Sequence, residues 1–221
     1  MPKSLRAPLL GCLACAAALL VLTVLLFKVG RVELWDASLL HRLMLEHESG
    51  GWNVARAFAA LADPLPMLVL LALISGLGLR WGRRRELIAG LAVVVGANLT
   101  TQVLKHLLDH HRFSPFLDIY QPWHDAYPSG HTTAAVALAV AFVLVVPRSH
   151  RRLALAIGAA FSAVVGLAVV LIEWHYPSDV LAGALIALGW GCAALAVLRL
   201  TAGETRAPGA QASSRFAIST K

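Results

Sequence analysis

SGHTTAAVALAVAFVLVVP, residues 129–147, decides the fold. After His131 it carries no charged side chain, and its apolar residues run on without alternation. A half-buried strand or a lipid-facing barrel strand would alternate with period two. The length suits a membrane-crossing helix, which needs roughly 20 mostly apolar residues. Five further segments read the same way: 8–28, 62–81, 87–108, 153–173 and 179–200. In lipid, only helices or closed barrels satisfy their own backbone hydrogen bonds. The predicted fold is therefore all-α, a six-transmembrane-helix bundle forming one domain over residues 1–200. The remainder, 201–221, is rich in Ala, Ser, Gly and Pro and is predicted to be a disordered cytoplasmic tail.

Composition agrees. The 221 residues are 58% hydrophobic and only 14% charged, too apolar for an ordinary soluble domain. The net charge of +7 would suit a nucleic-acid binder, but its distribution does not. Lys3 and Arg6 precede the first segment. Arg80, Arg83, Arg84 and Arg85 follow the second, Arg148, Arg151 and Arg152 follow the fourth, and Arg199, Arg206, Arg215 and Lys221 follow or close the sixth. These are alternate connections, so the positive-inside rule places them, and both termini, in the cytoplasm. The opposite connections hold most of the acids, among them Glu33, Asp36, Glu46, Glu48, Asp118, Asp125 and Glu173. No basic stripe interleaved with aromatics exists, so nucleic acid is set aside as a partner. The N-terminal apolar run is too long for a secretory h-region and has no small-residue cleavage site after Phe27. Cys12, Cys15 and Cys192 lie inside apolar segments, without metal spacing, and read as small buried hydrophobes.

Two connections on the non-cytoplasmic side are long. In 29–53, Asp36 is predicted to cap a short helix, with Trp35 and Leu40 as a hydrophobic staple and Gly50-Gly51 as its end. That helix either lies in the membrane interface or closes the end of the bundle. Asp63-Pro64 marks the start of the second spanning helix. The other connection, 109–128, carries Pro115, Pro122 and Pro128, and Trp123 with Trp174 reads as an interfacial anchor pair. Gly76, Gly78, Gly90, Gly96 and Gly166 read as helix-packing contacts.

The same face collects chemistry-bearing residues. Lys105 ends the third segment, with Arg112 seven residues on. Pro128-Ser129-Gly130-His131 opens the fourth. His175 follows the fifth, and Asp179 opens the sixth. Lys105 and Arg112 can neutralise a phosphate, Arg as a fork and Lys as a point charge. The N-terminus of the fourth helix offers free N–H groups and the positive end of its dipole. Gly130 permits close approach of an anion, and Ser129 either donates to phosphate or serves as an N-cap. His175 is a candidate nucleophile with Asp179 as its orienting carboxylate, and His131 a candidate acid and base. Each group also has a plainer reading: Lys105 as a snorkelling side chain, Asp179 as a helix-start acid. His106, His110 and His111 are either metal ligands or water-facing loop residues.

The three motifs together resemble the type-2 phosphatidate phosphatase (lipid phosphate phosphatase) superfamily. Its pattern is Lys, six residues, Arg-Pro; Pro-Ser-Gly-His; then Ser-Arg, five residues, His, three residues, Asp. The chain matches with Lys105 and Arg112, with Pro128-Ser129-Gly130-His131, and with His175 and Asp179. The resemblance implies a metal-independent hydrolase that cleaves a lipid phosphomonoester or diphosphate through a phosphohistidine and takes no cofactor. It implies catalytic His175, His131 and Asp179, and phosphate binding by Lys105, Arg112, Ser129 and Gly130. Expected partners are a membrane lipid phosphate, polyprenyl diphosphate or phosphatidate-like, and the bilayer itself. The expected location is the bacterial inner membrane, with the site facing the periplasm. Two positions depart from the pattern. Phe113 stands for the proline after Arg112, and Ala168-Val169 stands for Ser-Arg. The second loses a phosphate contact of about 1.5–3 kcal/mol. A lipid phosphotransferase, a non-catalytic lipid-phosphate binder and a small transporter or structural membrane protein stay open as alternatives. No charge lies mid-helix in the last four segments, which counts against transport.

Overall fold

The computed structural model describes residues 3–108 and 127–204. All regular structure among them is helical: α1 (Lys3–Lys28), α2 (Gly30–Leu43), α3 (Gly50–Ala59), α4 (Pro64–Arg80), α5 (Arg84–Leu108), α6 (Gly130–Val145), α7 (Arg151–Leu171) and α8 (Pro177–Glu204). Arg112, His110, His111, Trp123, the rest of 109–126 and the tail from 205 lie outside the described residues.

The bundle is built around α6. Its small side chains, Ala134, Ala135, Ala137 and Ala141, are buried on several sides. It packs against α4, α5, α7 and α8, while α1 lies along α8. Small residues allow such close approach. A Cβ on Gly90 would sit 3.1 Å from Ala141, and one on Gly96 would sit 2.6 Å from the Trp190 ring. Gly78 and Gly166 face Val145 and Val180 as closely, whereas a Cβ on Gly76 would meet nothing within 4 Å among the described residues. In lipid, where apolar burial drives little, this close contact is the main source of helix association.

Four helices are long and apolar enough to span a membrane: 5–28, 84–108, 148–171 and 177–202. The pair 50–62 and 64–80, bent by 54°, makes a fifth if it counts as one span. The sixth expected span, α6, has only 16 residues. By these helices the chain is an integral membrane protein.

At one end of the bundle the basic connections adjoin. Arg83 donates to the Val146 carbonyl at 3.2 Å and pairs with Glu86 at 2.6 Å. The other end is capped by α2 and α3, and here two sequence expectations fail. Asp36 does not start a helix; it sits in the interior of α2, and Trp35 is 72% exposed while Leu40 is fully buried, so no staple forms between them. Gly50-Gly51 starts α3 rather than ending α2, because the Ser49 side chain accepts the Trp52 N–H. Helix α2 docks Ala37 and Leu40 on Val170 and Tyr176, so it closes the end of the bundle. Helix α3 docks Trp52, Ala55 and Ala59 on Ala168, Val169 and Ile172 of α7 and its end. The cysteines are half-buried, with Cys12 and Cys15 lining an apolar groove that Trp190 and Thr100 also face, and not fully buried as expected.

Candidate active site

The end closed by α2 and α3 gathers the predicted residues that the structure describes. Ser129 is the N-cap of α6, and its hydroxyl accepts the Thr132 N–H at 3.3 Å. It is fully buried and is therefore the cap that its residue type suggested. Its own N–H donates to the Asp179 carbonyl at 3.0 Å, which ties the start of α6 to the start of α8. A Cβ on Gly130, by contrast, would meet nothing within 4 Å among the described residues. The described residues thus leave the start of α6 uncrowded at this point, and the dipole favours an anion at a helix N-terminus.

His175 is delivered by the turn that ends α7. The Trp174 N–H donates to the Val169 carbonyl at 2.9 Å and the Glu173 N–H to the Val170 carbonyl at 3.0 Å. With Glu173 at φ 62°, this is a Schellman motif, usually closed by glycine. The His175 N–H joins the same Val169 carbonyl at 3.1 Å. The His175 ring is buried, with Nδ1 3.6 Å from Asp179 Oδ2. That is ion-pair range, longer than a hydrogen bond. Asp179 is fully buried and accepts the Tyr176 N–H at 2.8 Å, so its carboxylate caps α8 while facing the histidine. Asp179 therefore stands at the start of α8 and beside the His175 ring at once.

His131, in the first turn of α6, lies 6.1 Å from His175 between ring centroids. Lys105, half-buried near the end of α5, is close enough for its charge to act on the His131 ring. Trp174 lies 5.3 Å from His131, so it lines the site rather than standing alone as an interfacial anchor. His106 is exposed on α5. Lys105, Ser129, Gly130, His131, His175 and Asp179 are thus brought to one end; Arg112 is beyond the described residues.

Three groups escaped the sequence reading. Asp63 Oδ1 lies 3.1 Å from His131 Nε2, giving the second histidine a carboxylate too. Asp36 accepts both the Ser178 N–H, at 3.1 Å, and the Ser178 hydroxyl, so α2 caps α8 from outside. Gly183 lets α8 pass against the Ser129 carbonyl. Val169, where the pattern has arginine, is fully buried against α3 and does not face open space.

The model of the PAP2 superfamily matches residues 86–201, more than half of the chain, and the chain belongs to that superfamily. Among solved structures, the chain is similar to a transmembrane PAP2 type phosphatidylglycerolphosphate phosphatase from Bacillus subtilis. The TM-score is 0.71 at 20% identity, with 89% of this chain and 98% of that one covered. At that identity the likeness speaks for the fold. No curated protein matches the chain.

Proposed function

We propose that the chain is a lipid phosphatase of the inner membrane that works through a phosphohistidine. The observation that carries this reading is the pair of histidines, 6.1 Å apart, at the open N-terminus of α6, each beside a carboxylate. His175 Nε2 attacks phosphorus while Asp179 holds the Nδ1 side. The P–O bond to the leaving group breaks, and its electron pair stays on oxygen, which takes a proton from His131. Water then attacks the phosphohistidine, giving its proton to His131 and releasing inorganic phosphate and free His175. Lys105, Arg112 and the α6 N–H groups carry the phosphate charge, with Gly130 leaving room. No step requires a metal.

The same reading takes residues 1–200 as one domain of six spans. α6 counts as the sixth because it is sheathed by its neighbours and need not match the bilayer thickness. The basic end faces the cytoplasm by the positive-inside rule, and the site faces the periplasm. Polyprenyl diphosphates and phosphatidate-like lipids are the substrate classes. Buried Val169 favours a second reading, a non-catalytic binder, since α7 offers no cation to the phosphate.

The deciding experiment is phosphate release by purified protein in detergent from a panel of lipid phosphates, with His175→Ala beside the wild type. Turnover lost in His175→Ala with folding intact supports the phosphatase. Binding without release supports the binder, and product appearing on an added acceptor lipid supports a phosphotransferase.

A further inference from the structure

Asp63 lies outside the segment that the superfamily model matches, between the helical turn Ala60–Ala62 and α4. It occupies the N-cap position of α4, where an aspartate ordinarily accepts the N–H of the second or third residue. Here it caps nothing with its side chain. The sequence explains why. Pro64 and Pro66 occupy the first and third positions of α4, and neither has an N–H. Little is left to cap, and the carboxylate is free to turn toward α6. Its Oδ1 meets His131 Nε2 at 3.1 Å, across 68 residues of sequence.

We propose that Asp63 is a positioning residue for His131, forming with it a second histidine–carboxylate pair that sets the proton-transfer step. The inference rests on the reading of His131 as the acid and base. With Nε2–H held by Asp63, Nδ1–H is the proton that passes to the leaving-group oxygen as the P–O bond breaks. In the second step Nδ1 takes the proton of the attacking water. The carboxylate stabilises the imidazolium that precedes the first transfer and follows the second. Among the described residues, the charged and titratable groups facing His131 are Asp63 before α4, Lys105 on α5 and His175 before α8. Among these, Asp63 is the group whose charge is opposite to that of an imidazolium. His175–Asp179 and His131–Asp63 would thus divide the work, one pair for the nucleophile and one for the proton.

The test compares wild type, Asp63→Asn and His131→Ala, full-length in detergent, on dioctanoyl phosphatidate and on p-nitrophenyl phosphate. The nitrophenolate leaves without protonation, so a defect in acid catalysis falls mainly on the alkyl ester. Asp63→Asn is expected to lose at least about tenfold more rate on the alkyl ester than on the aryl ester, within the range of general acid catalysis. The alkaline limb of its kcat/KM profile should move to lower pH, because the imidazolium loses its counter-charge. On a His131→Ala background the Asp63 change should add nothing. Equal losses on both substrates with an unmoved pH limb would reduce Asp63 to a structural contact. Should Asp63→Asn fail to fold, Asp63→Glu, which keeps the carboxylate, must retain the wild-type leaving-group preference; its loss overturns the proposal. A wild type inactive on both esters sinks the phosphatase reading and this inference with it. An active wild type with an indifferent Asp63→Asn sinks the inference alone.

Discussion

Gly183 of α8 passes so close to Ser129 that a Cβ there would stand 2.5 Å from the Ser129 carbonyl oxygen and 2.9 Å from the Thr133 hydroxyl. Both obstacles are anchored: the Thr133 hydroxyl donates to that carbonyl at 2.8 Å and is 2.9 Å from the Thr101 hydroxyl. Gly183→Ala must therefore push α8 from the start of α6. The same displacement would break the Ser129 N–H to Asp179 carbonyl bond. A loss of about 1–3 kcal/mol is expected from overpacking, with activity falling further than stability. Thermal melting in detergent alongside turnover checks this; an unchanged melting midpoint would mean the helices have slack at this contact.

Gly130 is the counter-case. Alanine there meets nothing among the described residues, so Gly130→Ala should fold as the wild type does. It should raise KM for the lipid phosphate because a methyl enters the space kept for the anion. Unchanged KM would mean that the phosphate lies elsewhere along α6.

Asp36 reaches Ser178 with its carboxylate buried at 6% exposure. Asp36→Ala leaves the Ser178 N–H and hydroxyl buried without that acceptor. The expected cost is about 1–3 kcal/mol, felt first at the α8 start that carries Asp179. Limited proteolysis of α2, compared with melting of the whole bundle, would read it; undocking of α2 without loss of turnover would separate the cap from the site.

Glu173 holds φ 62°, a left-handed position that glycine adopts without a side-chain penalty. Glu173→Gly is expected to raise stability by up to about 1 kcal/mol, read as a higher melting midpoint with turnover retained. A lower midpoint would mean that the contacts of the Glu173 side chain outweigh its backbone strain.

Local chemistry was legible in the sequence. The three-residue gap between His175 and Asp179 puts them 3.6 Å apart across one turn, and Ser129 before Gly-His marks an N-cap. What escaped was long-range. Asp63 meets His131 across 68 residues and Asp36 meets Ser178 across 142, and no periodicity encodes either contact. Asp63-Pro64 reads as a helix start, which it is, and that sufficient local reason hid the contact of the carboxylate with His131. In the same way Gly50-Gly51 read as a stop, although Ser49 just before it was the stronger signal for a start. The apolar runs mark helices within a few residues of where they lie, but not the burial of α6, which depends on neighbours rather than on its own composition.

Val169 shows why the missing arginine cannot simply be restored. Its side chain is fully buried in the contact with Trp52, Ala55 and Ala59 of α3. Its carbonyl holds both Trp174 and His175. An arginine at this position must displace Trp52 or bury its guanidinium in the apolar contact with α3, and burying a charge there costs several kcal/mol. Val169→Arg is therefore expected to lower both the melting midpoint and the rate, because the turn that delivers His175 shifts with it. Trp52→Gly should relieve part of that loss by opening α3 above position 169, a coupling that a double-mutant cycle would measure. On the proposed lipid-phosphatase reading, phosphate is then bound without a cation from α7, leaving Lys105, Arg112 and the α6 N-terminus to carry it. Val169→Arg matching the wild type in stability and exceeding it in rate would mean that α3 yields readily, and that the valine is a loss the fold never compensated.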